Sequence, residues 1–178
     1  MPVFDDLVDQ LELPQCHCLN ASSDHTLRHA LAAETRGEAG SYLQSDADEE
    51  LCITLKFMQA VKISAIIVQG VDGESAPTSL KLFKNKVGLD FDSAKSDKPT
   101  QEIALSKADV ASGTKMETRF VNFQDCQTLS IFIGGNHGEI DETKISKIAV
   151  LGELVLQSGL KRTAEEQASA SKGDWLNP

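Results

Sequence analysis

LCITLKFMQAVKISAIIVQG, residues 51–70, is the stretch whose reading decides the fold. Leu51, Ile53, Leu55 and Phe57 alternate with Cys52, Thr54 and Lys56, the period of two that half-buries a β-strand. Val61, Ile63, Ala65 and Ile67 then share one face of a following strand. Ile66 and Val68 make its far end apolar on both faces, so that end is expected to lie under a cover. The same theme recurs outward in TSLKLFKN (78–85), QEIALS (101–106), TRFVNFQ (118–124), TLSIFIG (128–134) and KISKIAVLG (144–152). Turn residues separate these runs: Asp72-Gly73 with Pro77, Lys86-Val87-Gly88, Ser112-Gly113, and Gly134-Gly135-Asn136 with Gly138. Roughly eight short strands joined by such turns predict a mostly β chain built as a sandwich, jelly roll or barrel. The expected core is Leu51, Ile53, Leu55, Phe57, Ile63, Ile67, Leu82, Val121, Phe123, Leu129, Ile131 and Ile133.

Before residue 51 the period is helical. Phe4, Leu7, Val8 and Leu11 fall at i, i+3, i+4 and i+7, which predicts a short amphipathic helix ending before Pro14. A second helix is expected in ASSDHTLRHALA (21–32), with Ser22 or Ser23 as its cap and Leu27, Ala30 and Leu31 on one face. From Lys161 onward the composition turns to Ala, Ser, Glu, Gln and Lys without an apolar period, the pattern of a flexible tail. The expected organisation is therefore a helical or linker segment over 1–14, a β-sandwich domain over 15–158, and a tail over 159–178.

The chain of 178 residues carries 17 basic and 27 acidic residues, a formal charge of −10. A surface of that sign repels nucleic-acid phosphates and anionic lipid heads, and it favours basic patches on protein partners. No run approaches the ~20 consecutive apolar residues of a membrane helix. Met1 to Gln10 holds Asp5, Asp6 and Asp9 and no basic residue, so no secretory signal is read there. The four cysteines are accordingly expected as reduced thiols in the cytoplasm, with access to the nucleus at this size. A monomer is expected.

Cys16-His17-Cys18, with His25 and His29 nearby, is the most inviting cluster for chemistry. Its spacing is not that of a zinc finger, which separates its cysteines by two to four residues. The single intervening residue is read as turning the two thiols to opposite faces. No Cys-x-x-Cys redox pair occurs, and Cys52 and Cys126 fall in strand patterns as structural residues. Asp46-Ala47-Asp48-Glu49-Glu50 begins like an EF-hand loop, but Leu51 and Phe57 stand where that loop needs Gly and Glu. The run reads as a solvated acidic loop before a buried strand. The glycines of IGGNHGEID (133–141) lead into another strand and not into a helix, so they read as turn residues and not as a phosphate cradle. His137 in that turn has no evident acidic or nucleophilic partner in sequence. No catalytic residue, metal or cofactor is expected.

CHCLNASSDHTL (16–27), YLQSDADEELCITLKFMQAVKI (42–63), PTSLKLFKN (77–85), LDFDSA (89–94), RFVNFQDCQTLSIFIGGNHGE (119–139) and TKISKIAVLG (143–152) together resemble the PITH domain, found C-terminal in thioredoxin-like proteins and alone in others. The resemblance covers about Cys16 to Gly152, and its specificity lies in the order and register of the motifs. It implies a galactose-binding-like, jelly-roll β-sandwich that docks on the regulatory particle of the proteasome. The thioredoxin half is missing, so redox activity is not carried over, and MPVFDDLVDQLELPQ resembles the linker that normally joins the halves. The leading expectation is thus a non-catalytic protein-binding module. The alternative is a jelly-roll domain binding a carbohydrate or other small molecule, and a third reading is an enzyme built on Cys16, His17 and Cys18. The candidate partner-binding residues are Asp46, Asp48, Glu49 and Glu50 of the acidic loop, Asn136 of the glycine-rich turn, and Trp175 of the tail. Trp175 is read either as an interface anchor or as a residue folding back on the sandwich.

Overall fold

The computed structural model describes residues 4–155. Among the described residues nine strands form one antiparallel sheet: β1 (Asp5–Asp6), β2 (His17–Leu19), β3 (Leu43–Gln44), β4 (Leu51–Gly70), β5 (Ser79–Lys84), β6 (Gln101–Ala104), β7 (Met116–Glu117), β8 (Cys126–Ile133) and β9 (Lys144–Leu154). The main path is β1-β9-β4-β8-β5-β6, with β2 and β7 on β4 and β3 on β9. The decisive stretch is a single long strand whose two parts pair with different partners. Leu51–Lys56 pair with β8 and Val61–Gly70 pair with β9, with a shift of register between Lys56 and Val61. Both ends of β4 return to the same end of the domain. Thr143 Oγ1 donates to Glu49 O at 2.7 Å, and Gly70 lies opposite Ile145. The sheet is therefore curled over on itself at Met58–Ala60, and its two halves enclose one core, the arrangement of a jelly roll.

Ten of the twelve expected core residues are buried to 1% exposure or less. Ile67 and Val121 are not. A bulge at Ser64, between the pairs Ile63–Gly152 and Ala65–Leu151, adds one residue to β4 and reverses its phase. Ile66 and Val68 thereby take the inward positions that alternation gave to Ile67. The far end of β4 is covered as expected: helix α3 (Lys107–Ser112), after α1 (Leu27–Leu31) and α2 (Phe91–Ser96), lies along it, and Gln69 Nε2 donates to Ala111 O at 3.3 Å. Val121 is 79% exposed because TRFVNFQ does not make a strand. Phe120–Asn122 form a 3₁₀ turn that inserts Phe123 alone into the core.

The N-terminal expectation also changes. Asp5–Asp6 pair with β9, Leu7–Gln10 make a 3₁₀ turn and not an amphipathic α-helix, and Leu7 and Leu11 are buried in the core. Asp6 further pairs with Arg36. Residues 4–14 are thus part of the domain and not a linker beside it. The second helix forms at Leu27–Leu31, capped by Thr26 and not by Ser22 or Ser23, with Leu27, Ala30 and Leu31 buried as the pattern predicts.

Candidate partner-binding face

The acidic loop enters β4, and two polar residues outside it fix its shape. Asn20 adopts a left-handed conformation (φ 68°), open to Asn at low cost. Its Nδ2 donates to Asp48 Oδ1 at 2.8 Å, Asp48 O at 3.2 Å and Glu50 O at 2.7 Å, and its Oδ1 accepts from the Ala47 amide at 2.9 Å. Thr143, wholly buried, donates its hydroxyl to Glu49 O and its amide to Ser45 Oγ at 2.9 Å. Asp46 and Asp48 stand exposed, and Glu49 is half-buried. Glu50 is engaged by Lys95 at 2.8 Å, a hydrogen bond that raises the lysine's pKa.

Asn136 has a different place from the one its sequence position suggests. It is 4% exposed, and its Nδ2 donates to Ile140 O at 2.8 Å, Glu142 O at 3.2 Å and Thr143 Oγ1 at 3.2 Å, while Oδ1 accepts from the Ile140 amide at 2.9 Å. A side chain so committed shapes the loop over 136–143 from inside. Gly138 lets this loop close on its neighbour, because a Cβ there would lie 2.8 Å from Glu74 Cβ and 3.0 Å from its carbonyl oxygen. The loop instead presents Glu139 and Asp141, both exposed. With Glu49 they line a groove of about 450 Å³ together with Thr78, Gly135, Asn136 and Ile140. Thr143 thus welds two acidic loops, far apart in sequence, into one face. Sequence reading found the first loop and missed Glu139 and Asp141. Two acids separated by the single Ile140 carry no pattern until Asn136 folds their loop. Trp175 lies outside the described residues, as does the 159–178 segment.

The Cys16-His17-Cys18 cluster does not converge. Cys16 and Cys18 both pack on the core, so they share a face, contrary to the opposite-face reading; residues two apart in an extended chain point the same way. His17 points outward. Cys16 Sγ donates to Lys56 O at 3.7 Å. Burial pushes the Cys18 thiol up to about 12, Cys126 to about 12 and Cys52 to about 11, and it also raises Cys16. Protonated thiols of this kind are poor nucleophiles and poor metal ligands. His25 stacks on Tyr42 at 4.0 Å, and His29 Nδ1 accepts from the Thr26 amide at 3.0 Å, so each histidine has its own partner although the two rings lie 6.3 Å apart. Among the described residues no three His, Cys, Asp or Glu side chains are grouped to hold a metal, and no helix is long and apolar enough to cross a membrane.

A curled antiparallel jelly roll, with converging carboxylates at one end and its thiols turned into the core, defines a β-sandwich domain of the galactose-binding-like class. The chain belongs to the PITH domain family, whose match extends over residues 1–169. It is 37% identical over 171 residues to thioredoxin-like protein 1 of Schizosaccharomyces pombe, covering 93% of this chain and 57% of that protein. It is 32% identical over 145 residues to PITH domain-containing protein 1 of Homo sapiens, covering 81% of this chain and 67% of the relative. The chain therefore spans little more than half the length of the thioredoxin-like relative. Among solved structures, the family 32 CBM from C. perfringens NanJ in complex with galactose superimposes with a TM-score of 0.60 at 10% identity, covering 84% of this chain and 99% of that one. At that identity the likeness is one of fold alone.

Proposed function

We propose that this domain is a non-catalytic protein-binding module that docks on the regulatory particle of the proteasome through its acidic end, in the cytoplasm and the nucleus. One observation carries the reading: Glu49, Glu139 and Asp141 line one groove, and Asn20 and Thr143 fix the loop that carries Glu49 together with Asp46 and Asp48. Loops braced by Asn20, Asn136 and Thr143 are preorganised, so a basic partner surface meets their carboxylates without further ordering. The family resemblance supplies the identity of the partner, and the raised thiols support a role outside redox chemistry. Galactose binding stays with the protein in which it is seen. The described residues lining the groove here include no aromatic ring on which a sugar would stack.

The test is binding of the chain to purified regulatory particle, compared with Asp46/Asp48/Glu49→Ala and with a Glu139/Asp141→Ala pair. Both variants should bind at least several-fold more weakly while unfolding at the parent's denaturant midpoint. Unchanged binding by both would move the interface to another surface. Calorimetric titration with galactose is expected to give no heat of binding.

A further inference from the structure

We propose that the segment carrying Trp175 and Leu176 docks back onto its own domain, in the groove between Phe4 and Phe120. The groove, of about 270 Å³, is lined by Phe4, Ser64, Lys115, Glu117, Thr118 and Phe120. The two rings stand 5.7 Å apart, tilted by 50°, and both are only half-buried. Beside them Val121 is 79% exposed. This mixed surface, two rings set among Ser64, Lys115, Glu117 and Thr118, is already built: Thr118 Oγ1 donates to Ile63 O at 2.8 Å, and Gln124 Nε2 holds Phe120 O at 2.6 Å.

The course of the chain brings the segment to this groove. β9 finishes with Gly152 opposite Asp5 and Leu154 opposite Val61, so the chain leaves the sheet beside Phe4. Residues 155–174 intervene before Trp175. Their contour reaches at most about 70 Å when extended, against a radius of roughly 15 Å for a domain of this size. The sequence Gly173-Asp174-Trp175-Leu176 sets the chain's only Trp between a carboxylate and a leucine. The groove offers the complement: two tilted rings for an indole edge, and the Lys115 ammonium for its face or for Asp174. Glu117, also lining the groove, competes for that ammonium. The carboxylate face of the domain offers Asp174 only repulsion. The PITH match extends over residues 1–169, which leaves Trp175 and Leu176 outside it.

A single Trp makes the test direct in the full chain. Its emission should lie at shorter wavelength than that of free N-acetyltryptophanamide, with acrylamide quenching several-fold weaker. Phe120→Ala and Lys115→Glu should each shift the emission back and restore quenching, with cooperative unfolding retained. Leu176→Asn, outside the domain, should do the same without touching the fold. An indole quenched like the free compound in the parent chain overturns the proposal. So does shielding that none of the three variants alters, or shielding that disappears on dilution, which would mean docking on a second copy.

Discussion

At the scale of single residues, buried amides and thiols do work that their sequence positions do not announce. Asn136 satisfies the Ile140 amide and the carbonyls of Ile140 and Glu142, so Asn136→Ala leaves these groups short of partners in a 4% exposed site. The expected cost is about 1–3 kcal/mol, read as a lower urea midpoint at unchanged slope. Weaker binding of the acidic face should accompany it, since Glu139 and Asp141 lose their anchor. The thiols give a pH prediction with a definite sign. Burial raises Cys52 to about 11 and Cys126 to about 12, so the folded state keeps protons that the unfolded chain releases near the ordinary thiol value of 9.0. Their contribution is complete below pH 9 and fades as pH climbs toward 11 and 12, by up to about 1.4 kcal/mol per pH unit for each thiol. Stability measured from pH 8.5 to 11 should fall less steeply in Cys126→Ala than in the parent. Equal slopes would show that this thiol titrates alike in both states.

At the scale of elements, the bend and bulge of β4 decide which prediction from alternation holds. Gly152 sits where the bulge at Ser64 presses against β9, and a Cβ there would lie 1.9 Å from Lys62 O. Backbone cannot retreat as a side-chain tip can, so Gly152→Ala should destabilise by well over the ~1 kcal/mol typical of point changes, visible as a large drop in thermal midpoint. Ile131→Ala, deep in β8, should cost about 2–5 kcal/mol. Val121→Ala should stay within about 0.5 kcal/mol, because the residue sits on a 3₁₀ turn and faces out. These contrasts show what the sequence could carry. The strands at Ser79–Lys84, Gln101–Ala104, Cys126–Ile133 and Lys144–Leu154 were legible because period-two burial is a local pattern. The bulge was not, since one extra residue is defined only by the partner strand. Helices α2 and α3 were missed although their caps are written plainly: Ser106 Oγ accepts from the Asp109 amide at 3.1 Å and Asp90 Oδ1 from the Ser93 amide at 2.8 Å. Of the candidate face, the loop over 46–50 was legible as a charge run. Glu139 and Asp141 join it through Thr143, which bonds Glu49 O, and through Ser45, whose hydroxyl donates to Asp141 O at 3.5 Å, contacts between residues 94 and 96 apart in sequence.

At the scale of the whole molecule, the doubled-back course of β4 matters most for docking. Because Glu49 and Gly70 both end beside β9's first residues, the acidic loops are tied to both halves of the sheet and move as part of the core. The acidic groove then sets a local field, with Glu49, Glu139 and Asp141 lining it and Lys115 beside Phe4 and Phe120 at another place on the surface. A field of this kind acts on the rate of encounter more than on the lifetime of the complex. Association with the regulatory particle, followed by stopped flow, should therefore slow as salt rises from 50 to 300 mM, while dissociation changes little. Screening is the cause: the Debye length falls below about 10 Å above 0.1 M salt, so the partner senses the face only near contact. Reversing the charge with Asp46→Lys/Asp48→Lys should slow association roughly tenfold at low salt, and much less at high salt, where the field is already screened. Glu50→Gln provides the internal control, because its carboxylate is bound by Lys95 and its side chain is only 19% exposed. An association rate indifferent to salt would mean that carboxylates do not guide docking and that contact is made through an uncharged surface. A salt dependence retained in the doubly reversed variant would mean that the guiding charges lie outside this face.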